Sequence, residues 1–136
     1  MELSLAAHHS MEMRLGYNSL NRKDFGVHEN EIGGGLGGTL GYRYYFKEKK
    51  EGFFIGARAD FWWNSVEWTD NIGTSNEVFD NTKVGVFQPT LITGYLFLLN
   101  DQVVITPTLA AGVEVNVITR GEPVGEGAVL LWGLNL

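Results

Sequence analysis

The chain contains no cysteine, which excludes a disulfide framework and thiolate metal sites and leaves the redox compartment open. It also lacks any continuous apolar run of the roughly eighteen residues that a membrane-spanning helix needs, a test that strands escape. Positive charge is scarce: ten Lys and Arg stand against sixteen Asp and Glu, for a net charge of −6, and no dense basic patch forms. Phosphate binding depends on clustered cations, so nucleic acid is excluded as a partner. The opening MELSLAAHHS has no basic segment followed by an unbroken apolar stretch. No secretory signal is visible, and an exported protein of this sequence is expected to be a mature form. His8, His9 and His28 form no recognisable metal set, since adjacent residues of a strand point to opposite faces. Asp24, Glu29, Glu31, Asp70, Glu77 and Asp80 follow no calcium-loop spacing. Neither a metal nor another cofactor is expected.

Glycine is abundant instead, with 18 in 136 residues, which disfavours helix and favours sheet with close backbone approach. The length corresponds to one domain over residues 1–136. In the segment Ile32 to Phe46, one parity carries Ile32, Leu36, Leu40, Tyr42, Tyr44 and Phe46. The other carries Gly33, Gly35, Gly37, Thr39, Gly41 and Arg43. Strand side chains alternate between faces, so this is one oily face backed by one small or charged face.

The same alternation defines six long strands and no helix. The first, Glu2 to Asn18, sends Leu3, Leu5, Ala7, Met11, Met13, Leu15 and Tyr17 one way, with His9 as an intruder. The third, from Phe53, opposes Phe53, Ile55, Ala57, Ala59, Phe61 and Trp63 to Gly56, Arg58, Asp60, Trp62 and Asn64. The fourth, Val84 to Leu99, alternates less cleanly; the fifth spans Val103 to Ile118 and the sixth Gly127 to Leu136. Pro89 and Pro107 fall inside strands, where bulges or weak pairing are expected because proline cannot donate to a ladder.

Connections alternate in length. Lys47 to Gly52 and the Asn100–Asp101 region are tight turns, whereas Ser19 to Glu31, Glu67 to Thr82 and Thr119 to Glu126 are long polar loops. Ten residues separate Phe53 from Trp63, a tilted rise of roughly 25 Å, which matches a lipid-facing band between aromatic girdles. Tyr42, Tyr44, Phe46, Phe53, Tyr95 and Phe97 would form the rim at the short turns, and Tyr17, Phe61, Trp63 and Phe87 the other. In the second, third and fifth strands the oily parity holds no charge. The opposite parity supplies Glu12, Arg14, Arg43, Arg58, Asp60, Glu114 and Asn116, the expected polar network of a narrow lumen.

With this alternation, these girdles and these loop lengths, the chain resembles the small outer-membrane β-barrel proteins of the OmpA/OmpX size class. The resemblance implies an all-β, antiparallel up-and-down barrel of six visible strands, or eight if a hairpin is missing or a segment is split. It implies a bacterial outer-membrane location with the lipid bilayer as partner. Its function would be structural, or binding and adhesion to a protein or glycan through the long loops.

Two loop residues, Trp68 and Phe79, stand among polar neighbours and are the candidate contacts there. A soluble lipocalin-like barrel that binds a hydrophobic ligand is the alternative reading, and it requires the oily parity to face inward. A lipid-modifying hydrolase is a third: His8, Ser10 and Glu12 alternate, so a strand would put an imidazole, a hydroxyl and a carboxylate on one face. The GxGxxG match at Gly33 to Gly38 continues as strand, without the helix N-terminus that phosphate binding needs.

Overall fold

Alternating, glycine-rich segments of this kind can satisfy their backbone only by pairing with neighbours, and short polar connections favour pairing in chain order. The computed structural model describes residues 2–24, 26–48, 51–100 and 103–135. Its strands are β1 (Glu2–Ala6), β2 (His9–Lys23), β3 (Asn30–Tyr45), β4 (Gly52–Asp70), β5 (Val78–Asn100), β6 (Val103–Arg120) and β7 (Gly127–Asn135). Among the described residues they form one antiparallel meander in the order β1 to β7, with β1 and β7 as unjoined edges. The all-β up-and-down architecture expected from the sequence is therefore present, as a curled sheet that backbone hydrogen bonds do not close. Lys49, Lys50, Asp101 and Gln102 of the two tight turns, and Leu136 of the last strand, lie outside the described residues.

The first expected strand is in fact two. The chain reverses at Ala7–His8 and pairs Leu3 with Met11 and Ser4 with Ser10. No glycine or Asn-Gly signal marks this turn. Beyond an irregularity between Ser4 and Ala6, where Ala6 pairs with His9, the pairing sets odd-numbered Leu3 against odd-numbered Met11, so the two strands share one parity pattern away from the turn. The loops are shorter than their polarity suggests, because β2 continues to Lys23, β4 to Asp70 and β6 to Arg120. Ser19, Asn21, Ser65 and Glu67 belong to strands whose outer face turns polar near the long-loop end.

Both prolines interrupt pairing between β5 and β6 without shifting it. The register passes from Phe87↔Val115 to Thr90↔Gly112, and from Gly94↔Thr108 to Phe97↔Ile105, on one alignment. The irregularities in that ladder lie instead at Gly85/Val86 and Leu98/Asn100.

Curling gives the sheet an inside. Gly33, Gly35 and Gly37 of β3 face it, and they are where the backbones of β3 and β4 crowd: a β-carbon on Gly35 would lie 1.7 Å from the carbonyl oxygen of Trp63. A β-carbon on Gly37 would fall 2.4 Å from the indole of Trp62, so the glycine row makes room for that ring. Buried apolar side chains collect at the two ends of the interior. Tyr45, Phe54, Ile92 and Ala110 fill the short-turn end. Val66, Trp68, Val84, Val86 and Val124 fill the long-loop end, with Leu20 and Trp62 against them. Fully burying one such side chain contributes about 1.5–3 kcal/mol. Buried charges lie on the same interior parity, among them Glu12, Arg43 and Asp60.

Candidate functional site

The interior parity brings the expected polar residues into ion pairs and hydrogen bonds with one another and with their neighbours. Arg43 on β3 and Arg14 on β2 both hold the Glu12 carboxylate. Arg43 also lies over the Phe54 ring, 4.9 Å from its centroid. On β4, Arg58 donates to Asp60 at 2.8 Å, and Asp60 also accepts the Thr39 hydroxyl. Glu114 on β6 is engaged by Arg22 of β2. Asn116 donates its side-chain amide to the Val124 carbonyl at 3.0 Å. Each buried carboxylate therefore meets a guanidinium, which offsets the large desolvation cost of a charge in an enclosed space.

Arg22 crosses the interior and marks a centre that the sequence reading left in a loop. Besides Glu114 it donates to the Gly125 carbonyl and lies 3.5 Å from Glu31. Glu31 is completely buried. Its carboxylate accepts the backbone N–H groups of Val27 at 2.9 Å, His28 at 3.3 Å and Gly125 at 3.0 Å. One side chain thus ties the 24–29 loop to the 121–126 loop. A β-carbon on Gly26 would come within 2.4 Å of that carboxylate, so a larger residue there would have to displace it.

His28 forms the second fastening. Its ring stacks on the Trp68 indole with centroids 3.9 Å apart and planes at 9°. Nδ1 meets Asp70 Oδ2 at 2.8 Å and Nε2 meets the Pro123 carbonyl at 2.9 Å. Each ring nitrogen thus faces an oxygen acceptor. Asp70 also accepts the Glu29 N–H at 2.9 Å. The hydrogen bond from His28, then that from Glu29, hold its carboxyl below the ordinary value of 3.8. Trp68 donates to Thr82, whose hydroxyl donates to the Glu122 carbonyl. Two loops are thereby folded over the interior as a lid, and Val124 is its apolar plug.

Trp68 is thus corrected from a loop contact to an interior residue, 6% exposed, because β4 runs on past Trp63 and even-numbered residues face inward. Phe79 is 77% exposed and does face outward. The alternating His8, Ser10 and Glu12 do not share one strand face: His8 lies in the turn, with Nδ1 2.8 Å from the Tyr45 carbonyl oxygen. Ser10 is fully buried and Glu12 is held by two arginines, so neither presents a nucleophile or base to a substrate. Among the described residues no group of three or more His, Asp or Glu could hold a metal ion. Extending the parity of β2 past Asn18 would have found Arg22. His28 and Asp70 lie 42 residues apart and carried no such signal.

The aromatic residues expected at the rims face outward or toward one another. Tyr42, Phe46, Phe53, Tyr95 and Phe97 are exposed near the short turns, with Tyr44 edge-on to Phe46. Phe61 and Trp63 are exposed further up β4.

No curated protein and no solved structure matches this chain. Residues 1–119 match the family described as "Protein of unknown function (DUF3575)". That match spans most of the sequence, and the chain belongs to this family.

Proposed function

We propose that this protein is a bacterial outer-membrane β-barrel, non-enzymatic, whose polar, loop-covered interior supports a structural or loop-mediated binding role. The observation that carries the reading is the inversion of polarity between inside and outside. Among the described residues, 33 large hydrophobic side chains are exposed and nine hydrophobic residues are buried. Leu15 at 92%, Leu91 at 73% and Trp132 at 85% lie fully open on the outer face. Soluble proteins rarely leave so much contiguous apolar surface uncovered, whereas a bilayer solvates it. The soluble ligand-binding alternative needs the oily parity inside, where this chain holds ion pairs and its apolar plugs. The hydrolase alternative needs an accessible Ser10.

Contact with a protein or glycan partner falls to the 71–77 hairpin and the start of β5, where Ile72, Val78 and Phe79 stand exposed. The test is detergent dependence. Stripped of amphiphile, the chain is expected to aggregate, and micelles should return it to a monodisperse β-rich state by sedimentation and circular dichroism. Leu91→Arg should then cost about 2–4 kcal/mol of stability in micelles. A monodisperse, β-rich protein in plain buffer would refute the reading.

A further inference from the structure

Lys83 of β5 and Arg120 of β6 are cross-strand partners on the outer face of the sheet, near its long-loop end. Both are exposed. Directly opposed residues hold their β-carbons about 5 Å apart, so two like charges placed there repel unless an anion lies between them. The interior arginines Arg14, Arg22, Arg43 and Arg58 each meet a carboxylate. Lys83 and Arg120 meet none among the described residues.

The aromatic row beneath sets their depth. A β-carbon on Gly85 would lie 3.1 Å from the Trp63 indole and 3.2 Å from the Ile118 β-carbon, so glycine lets the ring of β4 lean across β5 toward β6. The Arg120 guanidinium then rests over that indole, 6.0 Å from the ring centroid. Indoles at a membrane rim sit at headgroup level, which holds Arg120 where lipid phosphates lie. Below it the outer wall is apolar, with Phe87, Leu91 and Val115 exposed. On the other flank of Lys83, its β4 partner Ser65 is hydrogen-bonded to Asn81. The outer carboxylate of Glu67 faces Asn81, one outer pair nearer the loops.

We infer that Lys83 and Arg120 together bind the phosphomonoester headgroup of a membrane lipid whose acyl chains run down the wall of Phe87, Leu91 and Val115. The assignment rests on the membrane reading above and adds to it a specific lipid site, in the leaflet on the long-loop side. A phosphomonoester carries a charge of roughly −1.5 to −2 near neutral pH, which balances two cations. A phosphodiester carries less. The planar guanidinium of Arg120 suits two phosphate oxygens at once, while Lys83 supplies a point charge to a third. Occupancy would also relieve the repulsion between the two cations.

The test offers the full chain, in uncharged micelles at low salt, phosphatidic acid, phosphatidylglycerol or phosphatidylcholine, and counts one-to-one lipid adducts by native mass spectrometry. Phosphatidic acid should be retained over the other two. Lys83→Gln or Arg120→Gln should weaken its retention about fivefold and the double variant about thirtyfold, whereas Lys47→Gln, at the opposite rim, should leave it unchanged. In lipid-free micelles each single variant should melt no lower than the parent, because it removes a like-charge pair. A lower melting temperature would mean that the cations hold the sheet rather than a ligand, and it would overturn the assignment. Equal retention of the three lipids, or undiminished retention by the double variant, would do the same. Inorganic phosphate that displaces the lipid at equal concentration would give the site to a free anion and reject the lipid. A chain monodisperse without amphiphile removes the membrane reading, whereas a detergent-dependent chain with no preference among the lipids removes this site alone.

Discussion

Removing the Glu31 carboxylate tests whether one buried side chain holds the lid. Glu31→Ala takes the acceptor from the N–H groups of Val27, His28 and Gly125. His28 and Gly125 are buried, so their donors would lose a partner where water does not reach. Val27 is exposed and recovers water. Each stranded donor costs about 1–3 kcal/mol. Arg22 keeps Glu114 and the Gly125 carbonyl, so it is not left as an isolated charge, and losing the desolvation penalty of Glu31 returns part of the cost.

The net expectation is about 3 kcal/mol, or roughly a hundredfold rise in the open population of the lid. Amide hydrogen exchange in micelles reads this directly, at Gly125 and His28. Glu114→Ala is the comparison, because Glu114 touches Arg22 without holding those backbone donors. It should cost about 1 kcal/mol and leave the Val27 and His28 amides slow. If Glu31→Ala leaves the Gly125 amide unchanged, or if Glu114→Ala accelerates it equally, the loops are held by something other than this carboxylate.

Trp68 and Phe79 should behave oppositely under truncation. Trp68→Ala is expected to cost about 3–5 kcal/mol through the cavity it leaves and the stack it removes from His28, whereas Phe79→Ser should stay within about 0.5 kcal/mol; thermal unfolding decides. Gly35→Ala should destabilise the sheet by more than about 2 kcal/mol, because its β-carbon would meet β4 backbone, while Gly16→Ala, which would meet only the Trp62 ring at 3.9 Å, should be tolerated by the same assay. For Asp70 the sign follows from its lowered folded value. The stabilisation is complete above the unfolded value of 3.8 and is lost as pH falls through the lower folded one. Acid titration followed by exchange at Glu29 should therefore show the 24–29 loop loosening below 3.8, and Asp70→Asn should abolish that step.

Period-two alternation and glycine content were enough to read the strands, their antiparallel order and the division into an oily and a polar face, because a strand writes its two faces directly into residue parity. Ile32 to Phe46 shows this, as do Arg43, Arg58, Asp60 and Glu12 on the interior parity. The turn at Ala7–His8 was hidden because Leu3 and Met11, on either side of it, keep one parity. The true ends of β2 and β4 were hidden because polar outer faces near the loops read like loops. Which face turns inward was not legible either, since alternation is symmetric with respect to the two sides of a sheet. Only the curl of the assembled sheet decided that. It also brought His28 to Asp70 and Pro123, and Glu31 to Gly125, contacts made across about 40 to 95 residues of chain that no local pattern encodes.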